Sequence, residues 1–337
     1  MPPIPPLMLD LQGLELSPAE RDWLAHPAVG GIILFARNYA EPAQLKELIS
    51  SIRRAAKKEI LLAVDQEGGR VQRLRQGFTR LPPAAKLGEL YQQDPEAALA
   101  AAEALGFLMA AEVKAVGVDL SFAPVLDLGG GASEVIGDRA FAAEPEAVAA
   151  LGGAFAHGMR RAGMAAVGKH FPGHGGVAED SHLTLPEDGR SLKELEARDL
   201  VPFQRLIEEG LEAVMCAHVR YPQVDALPAG FSPVWIRQIL RVKLGFAGVV
   251  FSDDLAMAGA AWIGDLETRV EAALEAGCDM LLVCNCPESV ELLDRVKWRK
   301  WLKSERSAHL EKLKGDKVQI APEAIQAARQ AIKVLHE

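Results

Sequence analysis

Short apolar runs recur along the chain, and segments with the composition of helices separate them. The eight runs cover residues 6–13, 30–38, 60–69, 118–128, 165–173, 213–222, 248–257 and 279–285. They are too continuously apolar for strands with one face in water, so they predict strands buried on both faces, as in a parallel sheet. Between them, the segments 17–20 and 191–194 fit the capping box of a helix start, and 95–117 and 266–277 are rich in helix formers and end at glycine.

Eight β/α units in a chain of 337 residues predict an α/β protein with a single-domain (β/α)8 barrel, the TIM barrel. An open doubly wound sheet is the alternative, but no G-x-G-x-x-G follows the first strand, as a dinucleotide site would require. Residues 297–321 are polar, basic and weakly periodic, and a last helix is predicted over 322–335. We therefore expect one catalytic domain over 1–337, with about 297–337 as a peripheral C-terminal helical segment.

Composition and charge exclude several classes of protein. A net charge of −9 argues against a nucleic-acid binder, which would normally carry a basic patch. The N-terminus lacks the features of a signal peptide, and no apolar run reaches the ~18 residues of a membrane span, so we expect a cytoplasmic protein. The four cysteines, Cys216, Cys278, Cys284 and Cys286, are expected to be buried free thiols, because they lie in or beside apolar runs and lack zinc-site spacing.

Polar side chains follow nearly every apolar run at the point where the run ends. In a parallel barrel these ends meet at one rim, which carries the active site. A single Asp after a strand is usually a turn former or a helix N-cap, but a site explains the pattern better when almost every end is polar. The side chains in question are Asp10, Arg37, Asn38, Asp65, Glu67, Arg70, Arg73, Asp127, Asp138, Arg139, Lys169, His170, His174, Asp180, His182, His218, Arg220, Ser252, Asp253, Asp254 and Asn285.

This mixture of carboxylates, arginines, histidines and one lysine leaves three classes of enzyme to compare. A barrel metal hydrolase would take a His pair from an early strand, and the first two strands offer none. A Schiff-base aldolase would use a mid-strand lysine, for which Lys169 could qualify, but it has no need of the neighbouring histidines. A glycosidase needs a carboxylate nucleophile, a proton donor and many groups that bind sugar hydroxyls. The rim suits the glycosidase best, and we expect no metal and no cofactor.

Four motifs, in this order, resemble the family 3 glycoside hydrolases. They are VDQEGGRVQRL (64–74), IGDRAF (136–141), KHFPGHGGVAEDSHLTLP (169–186) and GFAGVVFSDDLAMAGA (245–260). More narrowly, residues from about 5 to 285 resemble the single-domain bacterial β-N-acetylhexosaminidases of peptidoglycan recycling. The resemblance implies a retaining exo-β-N-acetylglucosaminidase that removes terminal N-acetylglucosamine from muropeptide fragments bearing an anhydromuramoyl group. The expected partner is this carbohydrate substrate, with no nucleic acid and no obligate protein partner.

The same motifs imply roles for single residues. Asp253, the first aspartate of FSDD, corresponds to the family nucleophile, whereas Asp254 is expected to be a carboxylate that either supports the site from behind or forms the turn. Asp180 and His182 correspond to an Asp–His dyad that shuttles the proton. A histidine suits this task because its pKa of ~6.5 lets it donate a proton in one step and accept one in the next. The residues that correspond to substrate binding are Asp65, Arg73, Arg139, Lys169 and His170.

Three points stay open on the sequence alone. The glycines at 173, 175 and 176 are expected to let the loop with the dyad move, while His174 either structures this loop or belongs to the site. Another family 3 activity, a β-glucosidase or an N-acetylglucosaminide phosphorylase, is the first alternative function. A catalytically silent sugar-binding protein is the second, and the intact Asp253 and the intact pair of Asp180 and His182 argue against it.

Overall fold

The computed structural model describes residues 4–131, 133, 135–178, 181, 183–302, 309–316 and 318–335. Within these ranges, parallel strands form one eight-stranded sheet in the order β4-β3-β2-β1-β8-β7-β6-β5. The strands are β1 (Leu7–Asp10), β2 (Val29–Leu34), β3 (Leu61–Val64), β4 (Leu120–Ser121), β5 (Val167–Phe171), β6 (Ala213–Cys216), β7 (Val249–Asp254) and β8 (Met280–Leu282). Each predicted apolar run contains or overlaps one of them.

The sheet closes into a barrel where the chain leaving β4 meets β5. Val125 forms a parallel bridge with Lys169, and the Leu126 N–H donates to the Lys169 carbonyl over 2.6 Å. On the same edge, the Val167 N–H donates to the Ala123 carbonyl over 2.8 Å. The predicted α/β class and (β/α)8 barrel are therefore confirmed, and the carboxyl ends of the strands share one rim.

Helices surround the barrel. The longer ones are Pro18–Leu24, Pro42–Ala56, Ala85–Gln93, Pro95–Ala115, Pro145–Arg161, Leu200–Glu208, Leu266–Ala276, Pro322–Ala331 and the π-helix Val234–Lys243, and the shorter ones are Leu192–Glu196, Ala258–Ala261 and Leu292–Arg295. Both predicted capping boxes are present, at Ser17 and Ser191. Two hairpins extend the rim beyond the sheet, one from Gln66–Gly68 and Val71–Gln72 after β3, the other from Arg220–Tyr221 and Asp225–Pro228 after β6.

The hydrophobic core has an inner and an outer layer, because successive strand residues point to opposite faces of the sheet. In β1, Met8 belongs to the cluster inside the barrel, while Leu7 and Leu9 pack outward against the helices. Leu310 and Leu313, from the predicted C-terminal segment, are also fully buried in the inner cluster. In the part of the chain that the structure describes, no helix is both long and apolar enough to cross a membrane.

Candidate active site

A cleft of about 170 Å³ lies at the carboxyl end of the barrel. It contains six of the eight predicted site residues, Asp65, Arg73, Arg139, Lys169, His170 and Asp253, so the structure brings together side chains from four β/α units. The other two, Asp180 and His182, lie outside the described residues. The remaining lining residues are Ile33, Phe35, Glu67, Val71, Phe122, Met215, Asp254, Met257, Leu282, Cys284 and Asn285.

Glu67 joins two of the predicted substrate-binding cations. Its carboxylate accepts two hydrogen bonds from the Arg139 guanidinium, from Nε over 2.8 Å and from Nη2 over 2.9 Å. The Lys169 ammonium lies 2.6 Å from Glu67 Oε1 and 3.0 Å from Asp65 Oδ1. Burial alone would lower the pKa of Lys169, but the carboxylates of Asp65 and Glu67 outweigh it and raise that pKa. Lys169 therefore stays charged in the cleft.

Asp65 lies where β3 ends and links Lys169 to the hairpin that follows. Its second oxygen is 3.4 Å from Arg73 Nη2, and the Arg73 backbone N–H donates to the Asp65 carbonyl over 3.4 Å. Phe35, on the neighbouring strand end, lies 5.7 Å from the Arg73 guanidinium and 4.6 Å from that of Arg37. The cleft thus pairs a charged wall with an aromatic one, an arrangement suited to a ligand with hydroxyls and an apolar ring face.

Asp127 holds the start of the loop after β5. This fully buried carboxylate accepts from His170 Nδ1 over 2.6 Å, from the His170 N–H over 3.2 Å and from the His174 N–H over 2.7 Å. Burial by itself would raise the pKa of Asp127, but the charge and hydrogen bond of His170 lower it. Because an ionised Asp127 only accepts, it fixes a proton on Nδ1 of His170 and leaves Nε2 for other partners.

His174 has contacts on two sides of the loop, through its backbone N–H with Asp127 and through its ring with Ser181. Its ring is buried, and Nε2 lies 3.0 Å from the hydroxyl of Ser181. Burial lowers the pKa of His174, so the ring is neutral at pH 7. Glycine is needed beside it, since a Cβ at Gly175 would lie 2.0 Å from the carbonyl oxygen of Leu128.

Asp253 and Asp254 end β7 and face the cleft together. Asp253 Oδ1 accepts from the Asp254 N–H over 2.8 Å. Asp254 Oδ1 accepts from the N–H groups of Ala256 and Cys284, each over 3.0 Å, so this carboxyl shapes the turn after the strand. Burial raises the pKa of Asp254 to about 7, since it outweighs these two hydrogen bonds, and the charge of Asp253 adds to the rise.

His218 supports this turn from β6. Its Nε2 lies 3.0 Å from the carbonyl oxygen of Asp254, to which it donates, and its ring stacks on Phe231 with the centroids 5.4 Å apart. Burial lowers the pKa of His218, which is therefore a neutral donor. Through this hydrogen bond, His218 holds the backbone of the residue that follows Asp253.

The family model for the glycosyl hydrolase family 3 N terminal domain matches residues 8–310 of this chain. The chain belongs to glycosyl hydrolase family 3. The resemblance expected from the four motifs is therefore confirmed, and the protein is a glycoside hydrolase of the β-hexosaminidase type.

Similar proteins support this assignment at high identity. A β-hexosaminidase of Methylococcus capsulatus is 63% identical over 282 residues, which are 84% of this chain and 83% of that protein. The crystal structure of NagZ from Neisseria gonorrhoeae in complex with N-trifluoroacetyl-D-glucosamine is 46% identical and superposes with a TM-score of 0.90, over 99% of this chain and 97% of that one. A family 3 β-N-acetylglucosaminidase from Paenibacillus is 34% identical with a TM-score of 0.84, over 98% of this chain and 66% of that one.

Two carboxylates, Glu67 and Asp127, form hydrogen bonds and ion pairs with residues of the cleft that the sequence did not predict. Glu67 and Asp127 stand among the polar residues at the strand ends, but the motifs imply no individual role for either. For Glu67, the sequence signal was its position two residues after Asp65, whereas no residue with a predicted site role lies beside Asp127. Their partners are remote in sequence, since Arg139 is 72 residues from Glu67 and His170 is 43 residues from Asp127.

Another charged group lies at the side of the cleft. Asp10, at the end of β1, forms an ion pair with Arg37 and accepts from the Asn285 N–H over 3.1 Å. Arg37 also donates to Asn285 Oδ1 over 2.9 Å, so the ends of β1, β2 and β8 are joined. Among the described residues, no group of three or more His, Cys, Asp or Glu side chains is placed to hold a metal ion.

The cysteines are free thiols, as predicted. Cys216, Cys278 and Cys284 are buried, whereas Cys286 is only half-buried. Cys284 contributes to the wall of the cleft beside Asp254.

Proposed function

We propose that this family 3 enzyme is a retaining exo-β-N-acetylglucosaminidase with Asp253 as its nucleophile. The observation that carries the proposal is one cleft in which the Asp253 carboxylate faces Asp65, Lys169 and His170. Nucleophilic displacement at a sugar carbon needs an ionised carboxylate on one side and fixed hydrogen-bonding groups around the ring. Asp65 accepts from sugar hydroxyls, and the Lys169 ammonium donates to them.

The reaction then has two steps. Asp253 attacks the anomeric carbon and forms a covalent glycosyl-enzyme, while His182, paired with Asp180, gives a proton to the leaving oxygen. In the second step His182 takes a proton from water, which attacks the same carbon and frees Asp253. The role of the dyad rests on the motif, because both residues lie outside the part of the chain that the structure describes.

The proposed substrate is a muropeptide fragment with a terminal N-acetylglucosamine linked to an anhydromuramoyl peptide. Support comes from NagZ of Neisseria gonorrhoeae, a similar protein bound to an N-acyl glucosamine. A cytoplasmic location and the independence from metals and cofactors remain predictions from the sequence. Fractionation of cells and activity in the presence of a chelator test them.

Removing the proton donor tests the mechanism. In His182→Ala, cleavage of a natural disaccharide should fall by the ~10²–10⁴-fold typical of a lost general acid. A dinitrophenyl glycoside needs little protonation, so its first step should survive and give a burst of dinitrophenol followed by slow turnover. Azide needs no deprotonation, so it should accelerate the slow phase and yield a β-glycosyl azide. Asp180→Asn should show a milder form of the same behaviour.

Equal losses on both leaving groups, without a burst and without azide rescue, would remove His182 from this role. Mass spectrometry of the stalled His182→Ala enzyme should locate the sugar on Asp253. A label on another carboxylate contradicts the nucleophile assignment. Comparing aryl N-acetylglucosaminide with aryl glucoside, each with and without phosphate, distinguishes the proposed activity from a β-glucosidase or a phosphorylase.

A further inference from the structure

Asn285 is a lining residue of the cleft with an uncommon backbone conformation. Its φ is +53°, and among the described residues Lys57 is the only other non-glycine residue with a positive φ. Asparagine adopts this left-handed conformation more readily than most residues, but glycine, which has no Cβ, adopts it at least as well. The turn after β8 therefore does not by itself require the amide side chain that this position carries.

The contacts of Asn285 fix which end of its amide is left for a ligand. Its oxygen Oδ1 accepts from Arg37 Nη1 over 2.9 Å, and an arginine side chain can only donate. Arg37 is itself held in place, since its Nε donates to the Leu11 carbonyl over 2.8 Å and its Nη2 pairs with Asp10. Within the part of the chain that the structure describes, the amide nitrogen Nδ2 of Asn285 has no hydrogen-bond partner. Asn285 thus offers N–H donors to a ligand.

The order of the strands relates Asn285 to the two edges of a bound sugar ring. In a closed barrel of eight strands in this order, β3 and β7 lie opposite each other, so a line from Asp65 to Asp253 crosses the cleft. With the anomeric carbon at Asp253, one edge of the ring faces β4 to β6 and the other faces β8 to β2. One edge carries the substituents at C2 and C3, and the other carries the ring oxygen and the hydroxymethyl group at C5.

The two sides of the cleft differ in their polar groups. Arg139, Lys169 and His170 line the side of β4 to β6. On the side of β8 to β2, Asn285 is the one strongly polar side chain among the described lining residues, and Phe35 adds an aromatic ring. The first side matches the two substituents at C2 and C3. The second side matches the methylene and the single hydroxyl of the hydroxymethyl group.

We propose that Asn285 binds the 6-hydroxyl group of the cleaved sugar and so selects a hexose that carries this group. The inference rests on the proposed function, which places the anomeric carbon at Asp253. The amide nitrogen donates to the oxygen of the hydroxyl, and Phe35 packs against the methylene that carries it. Arg37 leaves this nitrogen, rather than the amide oxygen, for the sugar.

Substrates with and without the 6-hydroxyl group test this contact. An aryl N-acetyl-β-glucosaminide carries the group, and its 6-deoxy analogue has a methyl group in place of the hydroxymethyl group. For Asn285→Gly, kcat/KM should fall roughly three- to tenfold on the first substrate and stay within about twofold on the second. The difference in intrinsic reactivity of the two glycosides cancels, because the variant is compared with the wild type on each substrate. The inhibition constant of N-acetylglucosamine should rise by the same factor in the variant, whereas that of 6-deoxy-N-acetylglucosamine should not.

Lys57→Gly is the matched control, since Lys57 has a φ of +55° and follows the helix Pro42–Ala56, away from the lining of the cleft. Both glycine variants should keep the Tm of the wild type within about 2 °C, because glycine suits a positive φ. Lys57→Gly should also keep wild-type activity on both substrates.

A loss for Asn285→Gly that is equal on the two substrates, as a contact to the C2 substituent would give, overturns the inference, and so does no loss on either. A second measurement needs no variant. Wild-type enzyme that binds 6-deoxy-N-acetylglucosamine as tightly as N-acetylglucosamine also overturns it. If the wild type cleaves neither glycoside, the proposed function itself is wrong, and the two failures are thus distinguished.

Discussion

Replacing Asp254 by asparagine tests the physical basis of the carboxyl pair at the end of β7. Asparagine has nearly the same shape, and its carbonyl oxygen can accept both hydrogen bonds that Asp254 Oδ1 now accepts, from Ala256 and Cys284. The variant therefore keeps the turn and removes only the ionisable group. We expect it to fold and to be more stable than the wild type at alkaline pH.

The magnitude follows from the pKa of Asp254, which burial raises from 3.8 to about 7. A raised pKa means that the folded state keeps its proton while the unfolded state has already lost it. The wild type therefore loses stability relative to the variant as the pH rises from about 4 to about 7, at ~1.4 kcal/mol per pH unit. Above pH 7 both states are ionised, and the difference levels off at up to about 4 kcal/mol.

Thermal unfolding at several pH values measures this difference. The entropy of unfolding of a 337-residue protein is about 0.7 kcal/mol per kelvin, so 4 kcal/mol corresponds to a Tm shift of about 6 °C. We expect the Tm of Asp254→Asn to exceed that of the wild type by about this amount at pH 8, relative to their difference at pH 4. A difference in Tm that is the same at both pH values would refute the reasoning.

Activity provides an independent arm of the same experiment. At pH 6 Asp254 is mostly neutral, so Asp254→Asn should keep activity within about tenfold of the wild type. Asp253→Asn should lose roughly 10³-fold or more, because the variant lacks the carboxylate proposed as the nucleophile. If Asp254→Asn is the inactive variant and Asp253→Asn the active one, the nucleophile has been assigned one residue too early.

Other contacts of the cleft give further predictions. Glu67→Gln leaves two buried cations without their shared carboxylate and should lower the Tm by about 4–7 °C, from a loss of ~3–5 kcal/mol, whereas Glu47→Gln on the surface should change it by about 1 °C or less. The pKa of Glu67 is lowered, since Lys169 and Arg139 outweigh its burial, so the Tm difference between the wild type and Glu67→Gln should shrink as the pH falls below about 4. A Tm loss for Glu67→Gln that is no larger than for Glu47→Gln would contradict the predicted stabilisation by Glu67. Asp127→Asn should reduce kcat/KM by roughly ten- to hundredfold and move the ring proton from Nδ1 to Nε2, which nitrogen-15 NMR detects; an unmoved proton argues against a positioning role. Ser181→Ala should slow cleavage of poor leaving groups about three- to tenfold and spare the dinitrophenyl glycoside, and an equal effect on both would make its role purely structural.

The barrel and its rim could be predicted from the sequence because parallel strands are buried on both faces. Continuous apolar runs mark such strands, and the polar residue that ends each run marks the carboxyl end. Asp65, Lys169 and Asp253 were found in this way, and the structure places all three on one cleft. The pairing of the chain after β4 with β5 agrees with the predicted closed barrel, although β4 itself has only two residues in regular pairing.

The pairing of the rim residues could not be predicted from the sequence. Lys169 and Asp65 are 104 residues apart, and the direction of a side chain after a strand depends on the turn that follows it. The same reason explains why the partner of His174 could not be predicted, since the path of the loop brings Ser181 to its ring. Leu310 and Leu313 lie in a weakly periodic stretch, so their burial in the same cluster as the inward-facing strand residues left no clear pattern in the sequence.

The arrangement of charge in the cleft fits a glycoside hydrolase that is acidic overall and binds an uncharged sugar. Lys169 and Arg139 are each matched by Asp65 or Glu67, so the cleft offers oriented donors and acceptors with little excess charge. Burying such pairs costs desolvation energy, but the groups then need no reorganisation when sugar hydroxyls replace water. At the end of β7, burial keeps Asp254 protonated below about pH 7, so Asp253 has no ionised carboxylate as its immediate neighbour in the chain. Two adjacent carboxylates would repel each other, and the raised pKa of Asp254 removes that repulsion below about pH 7 only as long as its carboxyl stays buried.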